Sequence, residues 1–351
     1  MLKQIITITA LIIGLFKRED KNLDDALITA IFGNRFDAPI HVGDEIKIRS
    51  TAPVSSCGTT GNIFSSATMV KAPDGFTDIS VIPPHFHEFV PLSADDKIVK
   101  QSLAEIDPKE RDFFEKQRKL LAPIKVLDTR RRWLAVDMAS QIALKGTYVH
   151  HNGSISLGFT NRATLNGTDV WTDASATPVE DVIEWFQDMN QRPDAYLMDS
   201  KSFKLFRAKA LTLDNNKRGV VANFHTANYE EVQRKSISDT VIYKGTIIDI
   251  NLDVFEVTSK KVDTKGNKVP FFADYETLFV PLGNKDVASF HHMAIPQVEI
   301  EKEGLDMQYQ AEREVVYYKV NEAKTQGGTY MMSIFMPLVT DYDYFAYRKV
   351  A

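Results

Sequence analysis

The sequence predicts an α+β protein, and three features of its 351 residues support that prediction. The middle of the chain carries apolar residues at helical spacing, with capping patterns at the predicted helix starts. From residue 240 onward, apolar residues recur at every second position, as in strands that bury one face. Residues 44–91 contain many turn signals and small polar residues but few large apolar ones. Helices and strands that are grouped in separate regions are typical of α+β folds.

The segment 44–91 is predicted to form an extended hairpin or loop that lies on another part of the assembly. Glu45 to Arg49 alternates polar and apolar side chains, as a half-exposed strand does. Pro73-Asp74-Gly75 is a turn signal, because proline presets φ and glycine accepts a positive φ. A segment of about fifty residues with so few large apolar groups cannot build its own core. We therefore expect residues 50–80 to be exposed and mobile in the free chain.

Three helices are predicted in the middle of the chain. The first begins at the capping sequence Asp107-Pro108-Lys109-Glu110 and must stop or kink near Pro123. The second runs from about Asp128 to Gly146, where glycine permits a left-handed stop. The third begins at Thr177-Pro178-Val179-Glu180, which repeats the capping pattern. The apolar faces consist of Leu134, Met138 and Ile142, widened by Trp133, Val136 and Ala143, in the second helix, and of Val179, Val182, Ile183, Phe186 and Met189 in the third.

The strands that follow residue 240 are predicted to form an antiparallel meander. They cover residues 241–243, 246–257 and 269–281, and Lys265-Gly266-Asn267 forms a tight turn between the last two. Two more strands, 315–318 and 331–339, are predicted near the end of the chain. We expect these late strands to return and pair with the region 148–159.

Composition and charge exclude several classes of function. Apolar residues make up 44% of the chain and charged residues 25%, which is ordinary for a globular protein. The net charge of -5 lacks the basic excess on which tight phosphate binding depends, so recognition of a DNA sequence is not expected. Contact with DNA without tight binding remains compatible with this charge. Cys57, the only cysteine, allows neither an intrachain disulfide nor a cysteine-rich metal site.

The apolar run at residues 5–16 is the one segment with the appearance of a targeting signal. It is too short to span a bilayer. Lys17-Arg18-Glu19-Asp20 follows it, in place of the small residues at which a signal peptide is cleaved. We therefore expect an ordered N-terminal arm or a packed first element, and no membrane association.

Several short segments follow one another in an order that is informative although each is weak alone. They are Ile82-Pro83-Pro84; Arg131 to Tyr148, a long helix with a glycine stop before a strand; Trp171-Thr172-Asp173 followed by Pro178 to Val182; Asp194 to Ser200; Tyr243-Lys244-Gly245, Val269 to Asp274 and Leu278 to Pro281; and Met336 to Asp341. Together, over roughly residues 80–351, they resemble the lambda-type major capsid protein (protein E) family of tailed bacteriophages. Residues 205–235 and 299–324 match that pattern only loosely.

The resemblance implies the Hong Kong 97-type shell fold of tailed phages. This fold has an N-terminal arm, an extended β-hairpin loop, a peripheral domain with a long spine helix, and an axial domain. The corresponding ranges are 1–41 for the arm, 42–92 for the extended loop, 93–178 and 296–351 for the peripheral domain, about 108–146 for its spine helix, and 179–295 for the axial domain.

The resemblance also implies a function, that of the major capsid protein of a tailed double-stranded DNA phage. Such subunits form the pentamers and hexamers of an icosahedral shell that encloses the genome. The implied location is the virion, with assembly in the cytoplasm of the bacterial host. Other copies of the chain are the main partner; scaffolding, decoration and portal proteins are further candidates, and packaged DNA is contacted non-specifically. No enzymatic activity, cofactor, or catalytic, cofactor-binding or metal-binding residue is implied.

Two other functions remain as alternatives. His85 and His87 would point to one face of a strand, as two metal ligands do, which allows a metal-dependent enzyme. A third ligand is missing, since Pro91 and Leu92 occupy the places where a cupin-type motif has glutamate. Partly buried histidines with hydrogen-bond partners are the better interpretation. The second alternative, a tail-tube subunit, explains self-assembly but fits the long capped helix poorly.

The remaining candidate sites have simpler interpretations. The pairs His150-His151 and His291-His292 would point to opposite faces of a strand and make poor chelates. Arg130-Arg131-Arg132 most often marks a solvated first turn, but three cations there oppose the helix dipole, so an acidic partner across a subunit interface is considered too. Gly58 to Gly61 and Gly327-Gly328 lack the lysine of a phosphate loop. The aromatic residues Tyr342, Tyr344, Phe345 and Tyr347 indicate packing and not base stacking.

Overall fold

A computed structural model of the chain describes residues 26–34, 38–43, 45–51, 76–91, 122–150, 153–216, 229–263, 266–295, 307–311, 314–320 and 327–351. Its helices are α1 (Ala26–Phe32), α2 (Ala122–Lys145), α3 (Pro178–Gln187), α4 (Ser200–Asn216) and α5 (Tyr229–Lys235). The first strands are β1 (Ile40–His41), β2 (Ile46–Thr51), β3 (Phe76–Val81), β4 (His85–Pro91), β5 (Thr147–His150), β6 (Gly153–Ser156), β7 (Arg162–Thr164), β8 (Ala195–Asp199) and β9 (Val241–Ile247). The later strands are β10 (Leu252–Val257), β11 (Lys260–Val262), β12 (Lys268–Pro270), β13 (Glu276–Val280), β14 (Ala288–Met293), β15 (Met307–Ala311), β16 (Glu314–Val320), β17 (Gly327–Val339) and β18 (Ala346–Lys349). None of the helices in these ranges combines the length and apolar character that crossing a bilayer requires.

The long helix α2 starts earlier than predicted and stops where predicted. Its described part runs from Ala122, six residues before Asp128, and includes Pro123. At its end, the N–H of Gly146 donates to the carbonyl of Ile142 at 2.9 Å, and Gly146 adopts a φ of +65°. A Cβ on Gly146 would lie 2.2 Å from the Cβ of Phe159, so only glycine fits this stop. The predicted helix start at residues 107–110 lies outside the described residues.

Two six-stranded sheets form the framework. In the first, the strand order is β1-β14-β17-β16-β15, and β4 pairs in addition with β17. In the second, the order is β7-β18-β13-β8-β10-β9. Three further pairs, β2–β3, β5–β6 and β11–β12, are two-stranded. Helix α2 packs against β17 of the first sheet.

The predicted meander is wrong in its strand order. Strand β13 does not pair with β10; it lies antiparallel between β8 and β18. Strand β10 is parallel to β8 and antiparallel to β9. The reason is β8, whose five residues are all buried and which takes the central place in the sheet. Pairing strands that are neighbours in sequence is a good default, but a buried strand from elsewhere displaces it here.

The prediction that the late strands pair with residues 148–159 is also wrong. Residues 147–156 form their own hairpin, β5–β6, while β17 pairs with the preceding strand β16 and with two distant strands, β4 and β14. Residues 328–334 of β17 pair with β4, and residues 335–339 pair with β14. A strand of 13 residues is long enough to take these two partners one after the other.

Two apolar clusters lie on opposite faces of the second sheet. Alternate residues of β8 supply them: Ala195 and Leu197 face the larger cluster, whereas Tyr196 and Met198 face the smaller one. The smaller cluster also contains the fully buried Trp171. Helix α3 covers it as predicted, with Val179, Val182 and Phe186 buried and Ile183 and Met189 partly buried. The side chain of Thr177, however, forms no cap hydrogen bond.

Candidate functional site

A buried group of charges fastens α2 to the first sheet. It consists of Asp128, Arg131, Arg132 and Glu314. Arg131 donates to Asp128 at 2.5 Å, one helical turn away, and also to Glu314 on β16. The Nε of Arg132 lies 2.6 Å from a carboxylate oxygen of Asp128. Two carboxylates and two guanidinium groups cancel in formal charge, which is the arrangement in which buried ions are tolerated.

The interpretation of Arg130-Arg131-Arg132 as a solvated first turn, or as a cluster with an acidic partner in another subunit, is therefore wrong. Because α2 begins at Ala122, the three arginines lie well inside the helix and do not oppose its N-terminal dipole. Arg131 and Arg132 are buried, and their acidic partners belong to the same chain.

Two further polar contacts join α2 to other strands. The guanidinium of Arg130 donates two hydrogen bonds to Glu88 on β4, one of them at 2.9 Å, and this contact raises the pKa of Arg130. Farther along the helix, Lys261 on β11 lies 3.0 Å from Asp137 and donates to Ser140 at 2.6 Å. Helix α2 is thus tied to β4, β16 and β11, which come from three separate parts of the chain.

The end of α2 is closed by aromatic and polar contacts. The hydroxyl of Tyr342 donates to the carbonyl of Ile142 at 3.0 Å, and its ring stacks on Phe159 at 4.7 Å. Burial raises the pKa of Tyr148 to about 12, and the nearby Asp137 carboxylate adds to that shift. Phe345 is fully buried and Tyr347 nearly so. The prediction that these C-terminal aromatic residues serve packing is confirmed for Tyr342, Phe345 and Tyr347.

The buried face of α2 differs in part from the predicted one. Met138, Ile142 and Ala143 are fully buried, as expected. Trp133 was expected to widen the apolar stripe, but it is 37% exposed. Leu134 and Val136 are partly buried against the core, and the buried face extends in addition to Arg131 and Ala135, where Asp128 and Glu314 neutralise the arginine.

The segment predicted to be an extended loop contains a hairpin. Strands β2 and β3 pair antiparallel from Ile46 opposite Val81 to Thr51 opposite Phe76. Among the described residues these strands pair only with each other. Ile46 and Val81, at the base of the hairpin, are buried, whereas Ile82 just after it is 65% exposed. Residues 52–75, which include the predicted turn at Pro73-Asp74-Gly75 and most of the expected mobile segment, lie outside the described residues.

Strand β4 carries the two histidines that were considered as metal ligands. His85 and His87 share one face of the strand, as expected, but that face is exposed and not partly buried, while Phe86 between them points inward. His87 Nε2 lies 3.0 Å from the hydroxyl of Tyr317. No group of three or more histidine, cysteine, aspartate or glutamate residues with metal-binding geometry occurs in the described ranges.

The pair His291-His292 is buried on β14, and its members point to opposite faces as predicted. His291 faces His41 of β1 and Ser289, whereas the ring of His292 lies 5.9 Å from that of Phe335. Gly327-Gly328 is the start of β17 and not a phosphate loop. Cys57 and Gly58 to Gly61 lie outside the described residues.

Comparison with protein families decides what this framework belongs to. The model of the family described as phage major capsid protein E matches residues 40–346. The chain belongs to this family. No curated protein matches the sequence.

One solved structure supports the same fold, and a second is similar at a lower level. A protein described as the capsid protein of a prophage in E. coli CFT073 is 15% identical and has a TM-score of 0.54. The match covers 98% of this chain and 99% of that protein. The capsid of a native GTA particle is 9% identical with a TM-score of 0.44, covering 94% of this chain and 91% of that one. The fold is the Hong Kong 97-type capsid fold, and the chain is a structural shell protein of the virion and not an enzyme. The metal-dependent enzyme and the tail-tube subunit are accordingly set aside.

Sequence reasoning missed the residues that hold the framework together. Asp128 could have been found, because it lies three and four residues before Arg131 and Arg132, the spacing of helical ion pairs. Glu88, Glu314 and Lys261 carried no such signal, since their partners on α2 are 42 to 183 positions away.

Proposed function

We propose that this capsid protein assembles into the pentamers and hexamers of an icosahedral shell that encloses the double-stranded DNA of a tailed phage. The observation that carries the proposal is the β2–β3 hairpin, which pairs with no other described strand of its own chain. The hairpin edges that pair with no described strand suit pairing with a neighbouring subunit. In the body beside the hairpin, three polar contacts tie α2 to β4, β16 and β11.

The proposal includes a division of the chain into functional regions. Residues 1–41 serve as the N-terminal arm, 42–92 as the extended loop, 93–178 and 296–351 as the peripheral domain with its spine helix at about 108–146, and 179–295 as the axial domain. The packing of α2 against β17 supports the grouping of two distant segments in the peripheral domain. Strand β14 pairs with β17, so the boundary near residue 295 falls between elements joined by hydrogen bonds.

Shell formation follows from repetition of modest contacts. A head-to-tail contact between identical subunits closes into a ring when its rotation allows, and each subunit then makes the contact twice. Contacts of small area add up to a stable shell by multivalency. The net charge of -5 makes neighbours repel weakly, and moderate salt is expected to promote assembly by screening that repulsion.

The partners and the place of assembly are part of the proposal. Contact with the packaged DNA is proposed to be non-specific, because the chain lacks the basic excess that tight phosphate binding needs. Scaffolding, decoration and portal proteins remain candidate partners, and the bacterial host cytoplasm is the proposed site of assembly.

The experiment shortens the hairpin without disturbing its strands. Thr51 pairs with Phe76, so residues 52–75 can be replaced by Asn-Gly, which closes a two-residue turn between paired positions. The shortened chain is expected to remain folded by circular dichroism but to form no closed shells in electron microscopy and sedimentation velocity. A second variant replaces residues 52–75 by a glycine-serine segment of equal length, which separates the length of the loop from its side chains.

The outcomes separate the hairpin from the function as a whole. Normal shells from the Asn-Gly variant would exclude this region as an intersubunit loop while leaving the capsid function intact. If the unaltered chain stays monomeric at every concentration and salt tested, also with its own phage's assembly partners, the shell proposal fails.

A further inference from the structure

Two imidazole rings face each other at the point where β1 meets β14. His41 Nε2 lies 2.9 Å from His291 Nδ1, and the ring centroids are 5.2 Å apart. One of these two nitrogens must carry the hydrogen of the bond, and the other must accept it. The second nitrogen of His291 lies 3.0 Å from the hydroxyl of Ser289. His291 is buried and His41 is half-buried.

Strand β1 is short. It has two residues, and among the described strands it pairs with β14 alone. Its backbone hydrogen bonds run from the N–H of His292 to the carbonyl of Pro39 at 2.9 Å and from the N–H of Ala294 to the carbonyl of His41 at 2.8 Å. The histidine contact adds a side-chain hydrogen bond to these two backbone bonds.

Among the residues that the structure describes, the elements around the two rings offer no charge that could stabilise an imidazolium. Helix α1, which packs on β14, contains no titratable residue. The paired segment of β17, Phe335 to Val339, contains none either. On β14 itself the remaining titratable group is His292, which faces Phe335 on the other side of the strand. The charge that acts on His291 comes from His41.

We propose that His41 and His291 form a proton-operated latch that fastens strand β1 to β14 at neutral pH and releases it in acid. The pair tolerates one added proton on His41. His41 then carries a hydrogen on both nitrogens and donates from Nε2 to Nδ1 of His291. A second proton places two N–H groups face to face at 2.9 Å, and no hydrogen bond can form. The second charge also lies in a buried site in which no described carboxylate acts on His291.

The direction of the pH effect follows from linkage. Burial, and secondarily the charge of His41, lower the pKa of His291 from 6.5 to about 4, and burial lowers the pKa of His41 as well. When β1 detaches, the rings regain their ordinary pKa and bind protons more readily. The attached state is thus favoured above pH 6.5 and weakens as the pH falls from 6.5 to 4.

The latch lies immediately before the hairpin. Val42, the next residue, is 89% exposed, and β2 begins at Ile46. Release of β1 would free the chain that leads into the hairpin while the β14–β17 pairing stays in place. The latch thereby makes the attachment of the hairpin's base dependent on pH, whether or not the shell function proposed above holds.

Hydrogen exchange of the full-length chain measures the latch directly. The amides of His292 and Ala294 report on β1, and the amides of Phe335, Met336, Leu338 and Val339 report on the other edge of β14. After correction for the intrinsic pH dependence of exchange, protection at Ala294 is expected to fall about tenfold per pH unit between pH 6.5 and 4, as one linked proton requires. Protection in β17 is expected to stay constant over this range.

Variants test whether the histidines cause the effect. His291→Gln and His41→Gln each keep a hydrogen-bonding side chain but remove one titrating ring. Each is therefore expected to weaken the pH dependence of the exchange protection at Ala294. Two variants are used because the buried position of His291 tolerates substitution less well than that of His41. His85→Gln, on the exposed face of β4, is the matched control and is expected to keep the wild-type slope.

Three outcomes would overturn the latch. They are constant protection of Ala294 in the unaltered chain from pH 6.5 to 4, an unchanged slope in His41→Gln, and an equal loss of protection in β17. The last outcome would mean that the sheet opens as a whole and that β1 has no separate release.

Discussion

The surroundings of α2 and those of α3 and α4 are stabilised in different ways. Helix α2 carries buried charges beside the larger cluster, and Arg131 reaches Asp128 and Glu314 where a purely apolar helix would present aliphatic side chains. Helices α3 and α4 cover the smaller cluster, which is aromatic, with Trp171 stacked on Trp185 at 6.0 Å and close to Phe206 at 5.9 Å.

The difference indicates how precisely each helix must be positioned on its strands. Apolar packing tolerates small shifts of a helix, because dispersion and burial have no direction. An ion pair between a buried guanidinium and a carboxylate on a strand holds only in one register. Helix α2 contacts strands from three separate segments and needs such a register, whereas α3 and α4 are joined to their sheet by short local connections.

Removal of Glu314 should give the largest loss of stability. Glu314→Gln keeps the shape of the side chain but leaves two guanidinium groups against the single carboxylate of Asp128. We expect a loss of about 3–5 kcal/mol in the free energy of unfolding, measured by denaturant melts. A loss under about 1 kcal/mol would show that the cluster does not hold α2.

Truncation of an apolar side chain on the buried face of α2 should give the next largest loss of stability. Met138 is fully buried, so Met138→Ala is expected to cost about 2–5 kcal/mol as a cavity mutation. Leu134 is only half-buried, so Leu134→Ala should lower the free energy of unfolding by less than Met138→Ala in the same melts. Trp133→Ala should lower it least, because Trp133 is exposed. The reverse order would mean that the buried face of the helix has been assigned wrongly.

The polar contact inside the aromatic cluster should contribute less. Trp171 Nε1 donates to Asp181 at 2.9 Å. Asp181→Ala leaves this indole without its acceptor and should cost about 1–3 kcal/mol, whereas Asp181→Asn keeps an acceptor and should cost less.

The Asn variant also carries a pH signature. Burial raises the pKa of Asp181, so the native aspartate is disfavoured as the pH rises through that value. The stability of Asp181→Asn relative to the unaltered chain should therefore improve from pH 4 to pH 7. Melts at the two pH values that show the opposite trend would contradict this assignment.

The exposed ion pair of α2 should have the smallest effect. Arg130 and Glu88 are partly exposed, so Glu88→Gln is expected to cost about 0.2–1 kcal/mol and to cost less at high salt. It is the matched control for Glu314→Gln, since both changes remove one carboxylate from an arginine of the same helix. Equal losses in the two variants would remove the distinction between buried and exposed pairs.

The sequence by itself determined the local features of this protein. The glycine stop of α2, the helix at residues 178–187 with its buried face, and the paired strands on both sides of the extended segment all follow from spacing and turn chemistry between near neighbours. The order of several weak segments was also enough to indicate the family, because such a pattern depends on the whole chain and not on one contact.

The tertiary structure alone decided which distant elements meet. Nothing in the local sequence places β8 between β10 and β13, pairs β17 with β4, or turns Arg131 inward toward Glu314, 183 positions away. The physical reason is that strand pairing and buried ion pairs gain their free energy from partners that only the complete fold brings together. Local propensity therefore predicts elements and their ends, while the competition among all possible partners sets sheet order, the buried face of α2 and the facing rings of His41 and His291.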